Sequence, residues 1–495
     1  MSARPPAGRR GGAAGRRPGP TRPAPRREAD PARRVAYDLL RAVDERDAYA
    51  NLTLPGLLRE RGLTGRDAAF ATELGYGTLR AAGTLDVFLA RCADRSMNAI
   101  DPAARAALRL GAYQLLRTRV PSHAAVSATV DLAPRRAAGF VNAVLRRIAR
   151  QDWDAWIAEV APADPLALLA LRYAHPVWIA AAFRDALGDP AETEEALAAD
   201  DARPQTHLVA RPGRADRDEL AEQAGGEPGP WSPYAVRLPA GGDPGALVAV
   251  RDGRAAVQDE GSQLCALALA RAPLDGPDAR WLDLCAGPGG KAALLGAVAA
   301  LRTAPPSGPA LTGGAGTDAP APGGAAPPGG AAPPGGAGTR VVAVELAAHR
   351  ARLVAAAVSG SPVSVLQADG TVPPWAPGWA DRVLIDAPCT GLGALRRRPE
   401  ARWRRTEDDL KELTVIQRAL LRQGLAAARP GGVVAYVVCS PHLAETREVV
   451  EDVLTDGTAD LLDAGPYFPA DGPMVQLWPH LHGTDAMFCA LLRRR

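Results

Sequence analysis

Two cysteines stand at matching places in the second half of the chain: Cys389 in "DRVLIDAPCTGLG" and Cys439 in "VVAYVVCSPHL". Each closes an apolar run that reads as a buried strand, and each has a proline nearby, Pro388 and Pro441. A structural cysteine packs within an element, whereas a thiol at a strand end sits where reactive groups are presented. A thiolate there can add to an electron-poor ring. Cytosine is such a ring: addition at carbon 6 makes carbon 5 nucleophilic enough to take a methyl group from a sulfonium. The carbon-5 proton must then leave and the thiol must be eliminated. Two thiols suit two tasks.

A second group of residues could hold the methyl donor. "DLCAGPGGKA", Asp283 to Ala292, follows one strand and leads into a helix. Gly287, Gly289 and Gly290 let the backbone turn sharply and approach a ligand that side chains would obstruct. Taken alone, such a turn serves NAD, FAD, a nucleotide or tight packing. Glu345 narrows the choice: it lies 58 residues beyond Gly287, and removing the 38-residue insertion 302–339 leaves 20. At that spacing an acid after the second strand reaches a ribose hydroxyl. Pro288 interrupts the dinucleotide pattern, which favours an adenosine-containing ligand without a pyrophosphate. Asp369 and Asp386 close two further strands, so three carboxylates line one rim and can accept from ribose, an adenine amine or a cationic sulfonium ligand.

These groups need a scaffold that brings strand ends together. From about residue 251, short apolar runs ("RWLDLCA", "RVVAVE", "VSVLQAD", "DRVLIDAP", "VVAYVVCS") alternate with helical segments. That rhythm predicts an α/β, Rossmann-like, doubly wound and mostly parallel sheet, which binds ligands beyond the carboxyl ends of its strands. The stretch 302–339 repeats Ala-Pro-Gly units and is read as a surface loop inserted into this catalytic domain, 251–495. Residues 32–152 carry helical periodicity: Val35, Leu39 and Val43 share one face, Asp101 and Pro102 open a helix, and Val141, Val144, Leu145 and Ile148 recur at helical spacing. This predicts an all-α domain. Residues 153–250 mix a helical "HPVWIAAAFRDAL" with a Gly/Pro-rich stretch and are read as a small connecting domain.

Composition sets the outer bounds. The chain has 495 residues, too many for one core. No apolar run approaches the roughly 18 to 20 residues of a membrane span, and the N-terminus shows no signal-peptide pattern. A cytoplasmic protein without membrane contact is expected. The six cysteines have no CxxC pair and the seven histidines no metal spacing, so no metal is expected. Residues 1–34 carry ten arginines against Glu28 and Asp30, so against a chain total of +3 the remainder is −5. The basic tail, 1–31, is expected to be disordered. Only Lys291 and Lys411 are lysine among 58 basic residues, which makes the lysine of the glycine turn conspicuous.

"DLCAGPGGK", "DAPCTGLGALRRRPEARW" and "VVCSPHLAETREVV" together resemble the RNA 5-methylcytosine methyltransferases, in particular the RsmB/Fmu/Sun branch that acts on small-subunit ribosomal RNA. "RDAAFATELGYGTLR" and "AAGFVNAVLRR" look like the NusB-like RNA-binding domain that precedes the catalytic domain in that branch. The resemblance spans residue 32 to the end. It implies Cys439 as nucleophile and Cys389 as the residue that helps release the methylated base. It further implies S-adenosylmethionine held by Cys285, Ala286, Gly287, Pro288, Gly289, Gly290 and Lys291 at its methionine end, Glu345 at the ribose and Asp369 at the adenine, with Asp386 near the methyl group and cytosine. The implied partner is RNA, 16S rRNA or a small-subunit assembly intermediate, and a monomer is expected. Glu345 stands where the family more often has Asp, and Val438 where Thr is common.

Arg396, Arg397, Arg398, Arg402, Arg404 and Arg405, with Trp403, follow the first thiol and are expected to contact phosphates and stack on a base. His442 is read as a cap or surface residue in preference to a partner for Cys439. Three rival readings remain: a DNA cytosine-5 methyltransferase, which would use Cys389 as nucleophile; a non-catalytic NusB-like RNA-binding or antitermination factor; and the same chemistry on tRNA.

Overall fold

The computed structural model describes Met1 and residues 30–239, 243–303, 338–372 and 374–495. The basic tail and most of the Ala-Pro-Gly insertion lie outside the described residues.

The first part is helical: α1 (Pro31–Arg46), α2 (Ala50–Glu60), α3 (Gly65–Ala93), α4 (Pro102–Arg117), α5 (Ser122–Leu132) and α6 (Ala138–Ile148). Asp101 caps α4 by accepting from the amides of Ala103 and Ala104, and Pro102 takes the first position, where no amide is needed. The apolar stripes read from the sequence close one core, in which Val35, Leu39, Leu85, Leu108, Val141 and Leu145 are fully buried. Four shorter helices follow, α7 (Trp153–Glu159), α8 (Pro165–Arg172), α9 (Val177–Leu187) and α10 (Pro190–Asp201). Among the described residues no single helix is long and apolar enough to cross a membrane.

A small antiparallel sheet comes next, from β1 (His207–Ala210), β2 (Glu227–Pro228), β3 (Ala235–Arg237) and β4 (Ala255–Val257), ordered β2-β3-β1-β4, with α11 (Arg217–Ala224) and α12 (Val248–Arg251) between its strands. Helix α13 (Glu260–Arg271) then leads into the large sheet.

That sheet has eight strands: β5 (Arg280–Asp283), β6 (Arg340–Glu345), β7 (Val363–Gln367), β8 (Ala380–Asp386), β9 (Ala428–Val438), β10 (Ala459–Leu462), β11 (Met474–Gln476) and β12 (Phe488–Arg494). Their order is β10-β12-β9-β8-β5-β6-β7, with β11 paired to β12. The five strands from β9 to β7 are parallel, while β12 runs antiparallel to β9, β10 and β11. This is the doubly wound, mostly parallel sheet the sequence predicts. The chain proceeds from β5 through α14 (Gly290–Thr303), β6 and α15 (Ala348–Ala357) to β7, then returns to the other side of β5 as β8. The crevice between the ends of β5 and β8 is therefore the topological switch point, where such sheets bind ligands.

Both faces of the sheet are covered. On β9, Val433, Ala435 and Val437 join the core beneath α13 and α14, while Val434, Tyr436 and Val438 join the core beneath α17 (Glu407–Ala427) and α18 (Arg447–Leu454). The continuous apolar run of β9 follows from burial on both sides. A short helix, α16 (Ala401–Arg404), packs on α3.

Candidate active site

The turn after β5 sets the first wall of the site. Gly287 and Gly289 have φ of +58° and +99°, and a Cβ on Gly289 would stand 2.8 Å from the Cβ of Ala357, so only glycine lets this turn fold against α15. The turn delivers Lys291 into the first turn of α14. Its Nζ meets Asp386 Oδ2 at 2.8 Å, bridging the crevice between β5 and β8. Burial works against the ammonium, but the Asp386 carboxylate holds the Lys291 pKa above its usual range.

A cavity of about 570 Å³ opens over this pair. Ala286, Pro288, Gly290, Lys291 and Asp386 line it from the glycine turn and β8, and Cys439 from the end of β9. Cys389 is not among the lining residues; its sulfur lies 3.5 Å from that of Cys439, and both thiols are free. The two thiols have diverging environments. The hydrogen bond with Cys389 lowers the Cys439 pKa, assisted by Arg398 and Lys291 against burial and Asp386. The Cys389 pKa is raised by that same bond, by burial, and by the charges of Cys439 and Glu445. The surroundings thus favour the thiolate form at Cys439 and the thiol form at Cys389.

The remaining rim acids lie on successive strands. Glu345, at the end of β6, accepts from the Ala347 amide at 3.0 Å and lies 3.4 Å from Arg350. Asp369, exposed beyond β7, accepts from the amide and hydroxyl of Thr371 at 2.8 and 2.7 Å. From β8 to β7 is three inter-strand steps of about 4.8 Å, long enough for an extended ligand of nucleoside plus amino-acid size. Cys285 stays a neutral thiol, its pKa pushed well up by burial and by Asp283.

Several residues at the site carry no assignment from the sequence. Asp283 is fully buried at the end of β5; its Oδ1 accepts from the Cys285 amide at 3.3 Å, and its Oδ2 has no hydrogen-bond partner. Burial pushes its pKa up to about 7, with Asp386 adding and Lys291 opposing. Gln258 lines the cavity with a buried, unpartnered Oε1. A glycine cradle, orphaned polar atoms and a run of acids fit a cationic, hydroxyl-bearing ligand such as S-adenosylmethionine. Helix α3 also reaches the cavity through Thr72, Glu73, Tyr76 and Arg80, which no local pattern could foretell. Asp283 opens the glycine-turn motif, but its burial beside Asp386, 103 residues on, has no local signature.

The arginine run is largely not an RNA surface. Arg396 and Arg397 bind Asp485 at 3.2 and 3.0 Å, and Arg397 also binds Asp259 at 2.8 Å. Arg402 is fully buried, with Asp200 Oδ2 at 2.7 Å and the Ala174 carbonyl at 2.9 Å. Arg404 donates to the carbonyls of Val43, in α1, and Ala48, just beyond it, and Arg405 lies 3.8 Å from Asp409. Trp403 donates its indole N–H to the carbonyls of Leu79 and Arg80, so its ring packs on α3 and does not await a base. Arg398 alone keeps the expected disposition, exposed and at the cavity. The guanidinium fork explains the difference, because it can satisfy several carbonyls at once inside a protein. His442 accepts from the Ala444 amide at 3.1 Å, capping a short turn as expected.

Known proteins share this architecture. Residues 331–493 match the family model described as 16S rRNA methyltransferase RsmB/F, and residues 30–150 match the NusB family. A Mycobacterium tuberculosis (strain CDC 1551 / Oshkosh) protein bearing the name "Putative methyltransferase MT1451" is 54% identical over 95% of this chain and 98% of its own length. The Ribosomal RNA small subunit methyltransferase B of Salmonella paratyphi B is 30% identical over 94% of this chain and 98% of its own. Among solved structures, the crystal structure of PH0851 superposes with a TM-score of 0.74 at 21% identity, over 95% of this chain and 100% of that one, a likeness of fold.

Proposed function

The chain belongs to the RsmB/F family of ribosomal RNA small subunit methyltransferases, and from that premise we propose that it methylates carbon 5 of a cytosine in 16S rRNA through a covalent adduct with Cys439. The observation that carries the assignment is that Cys439 lines the cavity shared by Lys291 and Asp386, with the Cys389 sulfur 3.5 Å away.

S-adenosylmethionine, when bound, supplies an electrophilic methyl group. In this reading the turn from Cys285 to Lys291 holds its methionine end, Glu345 its ribose and Asp369 its adenine. The protein's own groups do the rest. Cys439, favoured as thiolate, attacks carbon 6 and raises electron density at carbon 5, the carbon that accepts the methyl group. Asp386 accepts from the exocyclic amine of cytosine and polarises the ring, and Lys291 fixes the carboxylate in place. For release, the carbon-5 proton passes to solvent, its electron pair restores the 5,6 double bond, and the Cys439 sulfur leaves as thiolate, assisted by a hydrogen bond from the Cys389 thiol 3.5 Å away. A DNA-type mechanism would need Cys389 facing the ring. The same geometry works against it.

The helical region wall of the cavity and the NusB match support RNA as the substrate, and the enzyme is expected to act as a cytoplasmic monomer. The test is to incubate the protein with labelled S-adenosylmethionine and unmodified 16S rRNA, assembly intermediates or tRNA, and digest the products to nucleosides. Label in 5-methylcytidine from small-subunit RNA is expected. Label in another nucleoside, or only in tRNA, contradicts the proposal.

A further inference from the structure

The hydrogen bonds around the two thiol loops converge on one carboxylate that the chemistry above leaves unused. Glu445, in the turn after β9, is fully buried. Its Oε1 accepts from the backbone amide of Thr390 at 2.7 Å and from Gln417 Nε2, on α17, at 3.0 Å. Its Oε2 accepts from the hydroxyls of Ser440, at 2.6 Å, and Thr390. Thr390 follows Cys389 directly and Ser440 follows Cys439 directly. Gln417 ties in a third piece, donating to the Pro388 carbonyl at 2.9 Å as well. The Glu445 backbone is anchored too, its carbonyl accepting from the Tyr436 hydroxyl at 2.7 Å.

A buried carboxylate costs several kcal/mol to desolvate and is retained where its hydrogen bonds do work. Here no basic side chain neutralises it among the described residues; its donors are an amide, a carboxamide and two hydroxyls. Its bonds link the residue after each thiol, and its negative charge adds to the surroundings that keep Cys389 a neutral thiol. The groups favouring thiolate, Arg398 and Lys291, act on Cys439.

We propose that Glu445 is the positioning residue of the thiol pair, binding the Cys389 and Cys439 loops at their hydrogen-bonded separation and fixing which sulfur attacks and which keeps its proton. This rests on the two-thiol reading above. Glu445 touches neither ring nor methyl donor in it.

The test reads the thiols on the protein alone, by iodoacetamide alkylation at Cys389 and Cys439 followed by peptide mass spectrometry across pH 6 to 10. In wild type, Cys439 should react first at neutral pH. In Glu445→Gln, which keeps size and removes charge, the Cys389 alkylation midpoint should fall by about one pH unit, and the rate ratio of the two thiols by about tenfold. Affinity for S-adenosylmethionine should stay within about twofold while single-turnover methylation drops at least about a hundredfold, a contrast that a general packing role would not give. If Glu445→Gln fails to fold, Thr390→Val and Ser440→Ala replace it, each altering chiefly the thiol beside it. Wild-type alkylation profiles in folded Glu445→Gln, or equal effects of the two hydroxyl variants on both thiols, overturn the inference. A wild type that methylates no cytosine overturns the substrate reading instead, and leaves the alkylation result to be judged by itself.

Discussion

At Asp283 the fold and the binding site act on the same carboxyl group. A group whose folded pKa, about 7, lies above its usual 3.8 stabilises the protein fully below about pH 4 and loses that contribution as pH rises through 7. At about 1.4 kcal/mol per pKa unit, the loss reaches about 4 kcal/mol at most. Asp283→Asn keeps the acceptor for the Cys285 amide and removes the titration. Urea midpoints measured from pH 4 to 8 should therefore fall with pH in wild type and stay flatter in the variant, which becomes the more stable protein at pH 8. Parallel curves would show that Asp283 does not titrate in this range. At this scale the sequence was informative where a residue carried its own signal. Lys291 is one of two lysines, and Cys389 and Cys439 end apolar runs. It was silent about Asp283 and Glu445, whose roles come from burial and from partners such as Thr390, Gln417 and Ser440.

Among the elements, the segment from Arg396 to Arg405 differs most from its sequence reading. In the sequence these residues read as contacts to phosphates and a base, because their partners within the protein cannot be seen there. Those of Arg402, Trp403 and Arg404 lie 202 to 361 residues away. The segment is a strut that seats the loop following Cys389 against α1 and α3. A glycine marks the seat: a Cβ on Gly83 would stand 2.1 Å from the Trp403 ring. Replacing glycine by alanine within a helix ordinarily gains up to about 1 kcal/mol. Here Gly83→Ala should lose stability by about 1 to 3 kcal/mol, as overpacking does, and lower methylation with it, measured by denaturation and turnover. A gain in stability would mean the indole is free to move. The strands and the α4 and α6 helices were legible because both faces of the sheet and each helix stripe carry regular periodicity. Contacts between distant elements have no such signature.

At the level of the whole molecule, the cavity draws its lining from distant parts of the chain, among them α3, the segment around Arg203 to Thr206, the connection from β4 to α13 at Gln258, the Arg396 to Arg398 stretch and the ends of the large sheet. The family resemblance anticipated a helical RNA-binding unit ahead of the catalytic sheet. That this unit contributes a wall to the same cavity as Cys439 is visible only in three dimensions. With most of the arginine run engaged internally, Arg398 is the exposed basic side chain of that run left at the cavity. Arg398→Ala should reduce the slope of log K against log salt for RNA by about one, read by filter binding across a salt series, with little change in affinity for S-adenosylmethionine. An unchanged slope would remove Arg398 from the phosphate contacts.

The central claim concerns the division of labour between two sulfurs 3.5 Å apart, and denaturing gels of protein incubated with RNA and S-adenosylmethionine test it most directly. The account predicts that Cys389→Ala traps RNA as a covalent adduct, whereas Cys439→Ala forms no adduct and transfers no methyl group. Methylation by Cys439→Ala, or an adduct that requires Cys389, would contradict it.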